Sequence, residues 1–139
     1  MRFAVLHDAP DSPPCLAVWH AGAWRRIAGC RDFLDWLRLS EAERAERLHG
    51  LGAPIEPAAY APPILVPPSV RDFYAFEAHV RNARCKRGFD APPPEWYEAP
   101  AFYFSNPACL IGHEQPVRKP PDTNALDFEL ELAVIIGRA

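Results

Sequence analysis

The 139 residues are 49% hydrophobic, 12% aromatic and 24% charged, enough apolar material for the core of one domain or one and a fraction. Fifteen basic residues against 18 acidic ones leave a net charge of −3, and no basic run stands out, which argues against a nucleic-acid partner. The longest apolar run, Leu132 to Ile136, falls far short of the ~20 residues that cross a bilayer. The opening MRFAVLHDAP also lacks the apolar stretch of a secretory signal, so a cytoplasmic protein not held in a membrane is expected.

Proline is the compositional outlier, with 17 residues against 7 glycines. The prolines cluster at 10–14, 54–57, 62–68, 92–94 and 119–121, where they punctuate a folded chain. Cys15, Cys30, Cys85 and Cys109 form no C-x-x-C, and the five histidines have no zinc-like spacing, so four reduced thiols are expected.

In chain order, residues 2–6 and 15–19 read as short strands around the PDSPP turn. His20 to Ala23 makes a tight turn into a third strand, Trp24 to Ile27. Residues 31–39 place Phe33, Leu34, Trp36 and Leu37 at helical spacing. Ser40 with Glu43 forms a capping box that opens a second helix ending near Gly50. Residues 1–61 thus form a small domain of short strands and two helices. PPILVPP, residues 62–68, reads as an extended linker, because prolines at both ends stop a helix from running through. After it, Ser69 to Asp72 is expected to open a helix that carries Phe73, Phe76, Val80 and Ala83 as a stripe and stops near Gly88. Residues 89–100 read as a Pro-rich loop, and 101–105, 109–112 and 126–137 as strands. A chain that stops just after a strongly apolar strand reads as the first part of a longer protein.

The last strand, LDFELELAVIIG, is the most informative segment. Alternation puts Asp127, Glu129, Glu131, Ala133 and Ile135 on one face and Phe128, Leu130, Leu132, Val134 and Ile136 on the other. Successive acids are then ~7 Å apart. Spacing alone leaves two readings open, a solvated outer face and a set of oxygen ligands for a hard divalent cation. On the expected helix after the linker, Asp72 and His79 are seven residues apart, 20° short of two full turns, and so share a face. Asp72 reads either as a helix cap or as a metal-binding acid, and His79 either as a surface residue or as a general base.

Together DFYAFEAH (72–79), PEWYEAPAFYFSNP (94–107) and LDFELELAVIIG (126–137) resemble the fumarylacetoacetate hydrolase family, over residues 68–139. The resemblance implies an α+β fold in which residues 69–139 begin a mixed β-roll, the catalytic domain. It implies that Asp72, Glu129 and Glu131 bind a divalent cation (Mg²⁺, Mn²⁺ or Ca²⁺), that His79 is the base that activates a water, and that Tyr74, Arg87 and Tyr103 hold the substrate. The Arg87 match needs a one-residue gap. The implied substrate is a small oxo or β-diketo acid, acylpyruvate or fumarylacetoacetate in type, of the kind met in aromatic catabolism. Hydrolysis of a C–C bond is the first reading. Isomerisation or decarboxylation of a 2-oxo-alkene dioic acid is the alternative, since the same residues would serve it. A truncated relative acting as an interaction module is the third. The family's remaining metal-binding acid and its lysine have no counterpart here, so no turnover by these 139 residues alone is expected. A homodimer is expected by analogy.

Overall fold

A computed structural model describes residues 1–137, which form the mixed strands and helices of an α+β chain. They group into two units, Met1–Leu65 with the stretch from Leu110 onward, and Val66–Cys109.

In the first unit, β1 (Phe3–His7), β2 (Cys15–His20), β3 (Ala23–Arg26), β4 (Pro54–Ile55) and β5 (Ala59–Ala61) form an antiparallel sheet of order β4-β3-β2-β1-β5. The β2–β3 turn has positive φ at both Ala21 and Gly22, the primed geometry whose twist matches paired strands. The β1–β2 connection is tied by the Ser12 hydroxyl, which accepts from the backbone N–H groups of Asp8 and Ala9 at 3.1 Å.

The apolar run of β2 is covered on both faces. Val5, Leu16, Val18 and Ile27 pack with Cys30 and Trp36, while Leu6, Cys15 and Ala17 pack against Trp24, Ile55 and Tyr60. Full burial of such side chains stabilises by about 1.5–3 kcal/mol each. Two helices, α1 (Phe33–Arg38) and α2 (Glu41–His49), complete the unit. Phe33 meets Phe3 edge to face at 5.3 Å. Both halves of the Ser40–Glu43 capping box form. Arg44 of α2 donates to the carbonyls of Trp36 and Leu37, which satisfies acceptors left over at the end of α1.

Asp32 joins three stretches of chain. Its Oδ1 caps α1 by accepting from the N–H groups of Leu34 (2.9 Å) and Asp35 (3.2 Å), and its Oδ2 accepts from Leu65 N–H at 2.9 Å. Pro63 carbonyl accepts from Phe33 N–H, and Ile64 is buried. The first half of the Pro-rich stretch 62–68 is therefore bound to the sheet unit. All four cysteines are free thiols, Cys15 and Cys30 buried, Cys85 and Cys109 exposed. No helix among the described residues is long and apolar enough to cross a membrane.

Two expected strands do not form. Residues 126–137 form no strand, and no described strand pairs with them. Alternation decides how side chains divide between two faces, and supplies no ladder partner for the backbone. Phe128, Leu130, Leu132, Val134 and Ile136 are accordingly 82–95% exposed, and on the acidic face Ile135 is half-buried while Ala133 is exposed. Residues 109–112 are interrupted by a 3₁₀ turn, Pro107–Cys109, where Asn106 Oδ1 accepts from Ala108 N–H. Beyond it, Gly112 lies directly against the Tyr60 carbonyl, where an added Cβ would collide with backbone. His113 meets the Tyr60 ring edge to face at 6.0 Å.

Candidate active site

In the second unit, β6 (Val70–Phe73) pairs antiparallel with β7 (Phe102–Ser105). This corrects the expected helix from Ser69. Val70 and Phe73 suit a pleated strand, and the ladder with β7 satisfies their backbone. The Ser69 hydroxyl accepts from Arg71 at 2.8 Å and caps no helix. Helix α3 (Glu77–Cys85) begins only after Phe76, so Asp72 stands on a strand and His79 on a helix, and they share no helix face. Of the expected stripe, Val80 is fully buried while Phe73 and Phe76 are exposed. The α3 helix ends before Gly88, whose φ of +84° carries the chain away. The expected loop 89–100 contains one further helical turn, α4 (Glu95–Glu98).

The register sorts the hairpin into two faces. Asp72 lies directly opposite Tyr103, and Val70 opposite Ser105, so these four share one face. Arg71, Phe73, Phe102 and Phe104 share the other. There the Arg71 guanidinium lies 4.8 Å from the Phe104 ring centre and 5.6 Å from that of Phe102, and the Phe73 and Phe102 rings meet tilted at 48°, 5.3 Å apart. With Arg71 on the aromatic face, the hairpin presents Asp72, half-buried, beside the exposed Tyr103 on the opposite one.

Tyr74 ends the ladder, its N–H donating to Ala101 carbonyl at 3.0 Å, and the chain then turns through Ala75 N–H to Phe73 carbonyl. The Tyr74 ring meets the His79 imidazole edge to face at 5.3 Å and 88°. His79 is exposed on the first turn of α3. Within this unit the structure brings together two pairs of the expected site residues, Asp72 with Tyr103 and Tyr74 with His79. Arg87 is exposed just past the end of α3. Glu129 and Glu131 belong to the other unit, exposed in its terminal segment, where Asp127 Oδ1 accepts from Phe128 N–H.

Four residues given no role in the sequence, Glu77, Arg81, Trp96 and Tyr97, complete this region. Trp96 Nε1 donates to Tyr74 carbonyl at 2.7 Å, and Tyr97 hydroxyl donates to Glu77 Oε1 at 3.0 Å. Glu77 also accepts from Arg81 at 2.7 Å. The Arg81 guanidinium, and then the Tyr97 hydroxyl, hold the Glu77 carboxyl below the usual carboxylate range, and the bond to Glu77 in turn pushes the Tyr97 phenol up. An open cleft of about 290 Å³ runs between Tyr74, Trp96, Tyr97 and Pro100. The one available signal was PEWYEAP itself, a Pro-initiated helical turn. Its partners 20 or more residues away cannot be read from it.

The three acids Asp72, Glu129 and Glu131 offer oxygen ligands alone, a donor set that suits a hard divalent cation. One family model matches, that of the fumarylacetoacetate (FAA) hydrolase C-terminal domain, over residues 69–139. No curated protein and no solved structure matches the chain.

Proposed function

This chain belongs to the fumarylacetoacetate hydrolase family, and from that premise we propose that its site residues serve a divalent-cation-dependent hydrolase cleaving a C–C bond in a β-diketo acid, acylpyruvate or fumarylacetoacetate in type. The observation that carries the reading is the β6–β7 register, which sets a carboxylate beside a phenol on one face, with Tyr74 and His79 in contact at its end. Family membership supports residues 69–139 as the beginning of a mixed β-roll.

In this reading Asp72, Glu129 and Glu131 hold Mg²⁺, Mn²⁺ or Ca²⁺. A cation bound there would polarise the carbonyl under attack and neutralise the charge that develops as the C–C bond breaks. His79 takes a proton from a water molecule, whose oxygen adds to the acyl carbon. That carbon becomes a carboxylic acid, and the proton ends on the departing carbon. Arg87 offers a planar fork to the substrate carboxylate, and the hydroxyls of Tyr74 and Tyr103 donate to its carbonyl oxygens. Isomerisation or decarboxylation of a 2-oxo-alkene dioic acid is the competing chemistry, distinguished by its products.

Titration with Mn²⁺, followed by electron paramagnetic resonance, tests the metal assignment. Asp72→Asn, Glu129→Gln and Glu131→Gln are each expected to weaken binding at least about 10-fold. His79→Ala is expected to leave Mn²⁺ binding intact and, in a form of the protein that turns over, to lower kcat by roughly 10²–10⁴. Mn²⁺ affinity indifferent to all three acids would overturn the metal assignment.

A further inference from the structure

The step from β6 to α3 is three residues long, Tyr74 to Phe76, with Glu77 opening the helix, and it sets how the strand bearing Asp72 is joined to the helix bearing His79. Both ends of that step are gripped by neighbouring residues of one turn. Trp96 of α4 holds the Tyr74 carbonyl through its indole N–H, and Tyr97 holds the Glu77 carboxylate through its hydroxyl. The two rings pack edge to face at 4.8 Å, so the two grips are coupled.

The two ends are held differently, and Glu77 is bound by Arg81 of its own helix as well as by Tyr97. The Tyr74 N–H is the last rung of the hairpin ladder, and its carbonyl, with no strand residue beyond to receive from, is closed by the half-buried Trp96 bond. Main-chain groups bonded on both sides fix the direction in which the Tyr74 side chain leaves the backbone, and its ring meets the exposed His79 imidazole edge to face. At the other end, Phe76 caps α3 without any side-chain hydrogen bond, so the first turn of the helix depends on what Glu77 binds. The gripping turn is itself stiff. It follows three consecutive prolines, Pro92 among them buried, and its first N–H groups donate back to Pro93 and Pro94 carbonyls at 3.0 Å.

We infer that Trp96 and Tyr97 are positioning residues for His79, a two-point clamp that fixes the imidazole relative to the strand of Asp72. The functional meaning of the clamp rests on His79 as the base, but the clamp is a geometric claim and is tested without turnover. The readout is the imidazole proton resonance of His79 in the 139-residue chain, assigned by its loss in His79→Gln and displaced in the wild type by the Tyr74 ring. Tyr74→Leu defines its position with no ring present. Trp96→Phe, which keeps an aromatic ring and deletes the donor, is expected to move the resonance most of the way to that position. Tyr97→Phe, which deletes one exposed hydroxyl, is expected to move it part of the way, with the thermal midpoint nearly unchanged. Should Trp96→Phe unfold the chain, Tyr97→Phe decides. A His79 resonance at its wild-type position in a folded Trp96→Phe or in Tyr97→Phe overturns the clamp, as does one that Tyr74→Leu leaves in place. Normal turnover by His79→Gln would remove the base assignment and leave this result untouched, so the two failures are distinguishable.

Discussion

In the five-stranded sheet Leu6, Leu16 and Ile27 are fully buried, whereas the hairpin unit buries Val80 and leaves Phe73, Tyr103 and Phe104 48–74% exposed. Both regions are built from alternating strands rich in large side chains. The sheet can close over its own because β1 and β2 lie in its interior with cover on both faces. The hairpin has two strands and cannot. The difference teaches where each region keeps its chemistry. The sheet unit spends its apolar residues on stability, while the hairpin keeps a carboxylate, phenols and an imidazole within reach of solvent, held by hydrogen bonds and ring contacts.

The largest effect should come from the sheet. Ile27→Ala is expected to cost about 2–5 kcal/mol, as a fully buried side chain leaves a cavity, and urea unfolding followed by tryptophan fluorescence measures it. Phe104→Ala should cost no more than about 1 kcal/mol, chiefly its share of the Arg71 contact. Equal costs for the two would break the contrast. Next comes Asp32→Ala, which removes the cap of α1 and the acceptor of Leu65 N–H together. The expected loss is about 1–3 kcal/mol, less for Asp32→Asn, by the same unfolding measurement.

The smallest effect belongs to the hairpin and is sharpest in pH. The Glu77 carboxyl is lowered from 4.5 by Arg81 and Tyr97, so its contribution is present above that value and lost as pH falls through the lower folded one. The Tyr97 phenol is raised from 10.0 by Glu77, so its contribution is present below that value and lost as pH rises through the higher folded one. The thermal midpoints of wild type and Tyr97→Phe should therefore differ slightly between these limits and converge beyond both. A gap that persists in acid would place the Tyr97 interaction elsewhere than on Glu77.

Local signals were legible in the sequence and long-range ones were not. The Ser40–Glu43 box, the Ala21–Gly22 turn and the first three strands depend on near neighbours, and each forms as read. VRDFYAF was misread because its apolar residues satisfy a helical period almost as well as a strand. What decides the matter is β7, about 30 residues on. The Asp32–Leu65 bond and the Trp96–Tyr74 bond join positions 33 and 22 apart, and no spacing rule reaches them. At the site, the three motifs pointed to the family. Alternation on residues 126–137 put Asp127, Glu129 and Glu131 on one face and left their role open, and it could not supply a strand to pair with them.

The placement of Gly112 bears on how this chain behaves among copies of itself. In the order β4-β3-β2-β1-β5 the outer strands are β4 and β5, and an open outer strand is a template on which a second chain can add. The β4 strand is two residues long and includes Pro54, which has no N–H to offer a newcomer. Along β5, the backbone at Gly112 lies against the Tyr60 carbonyl with His113 beside its ring, so an incoming strand would first have to displace this chain's own residues. A single β-carbon at position 112 would push that cover aside and turn a closed sheet into one that can grow.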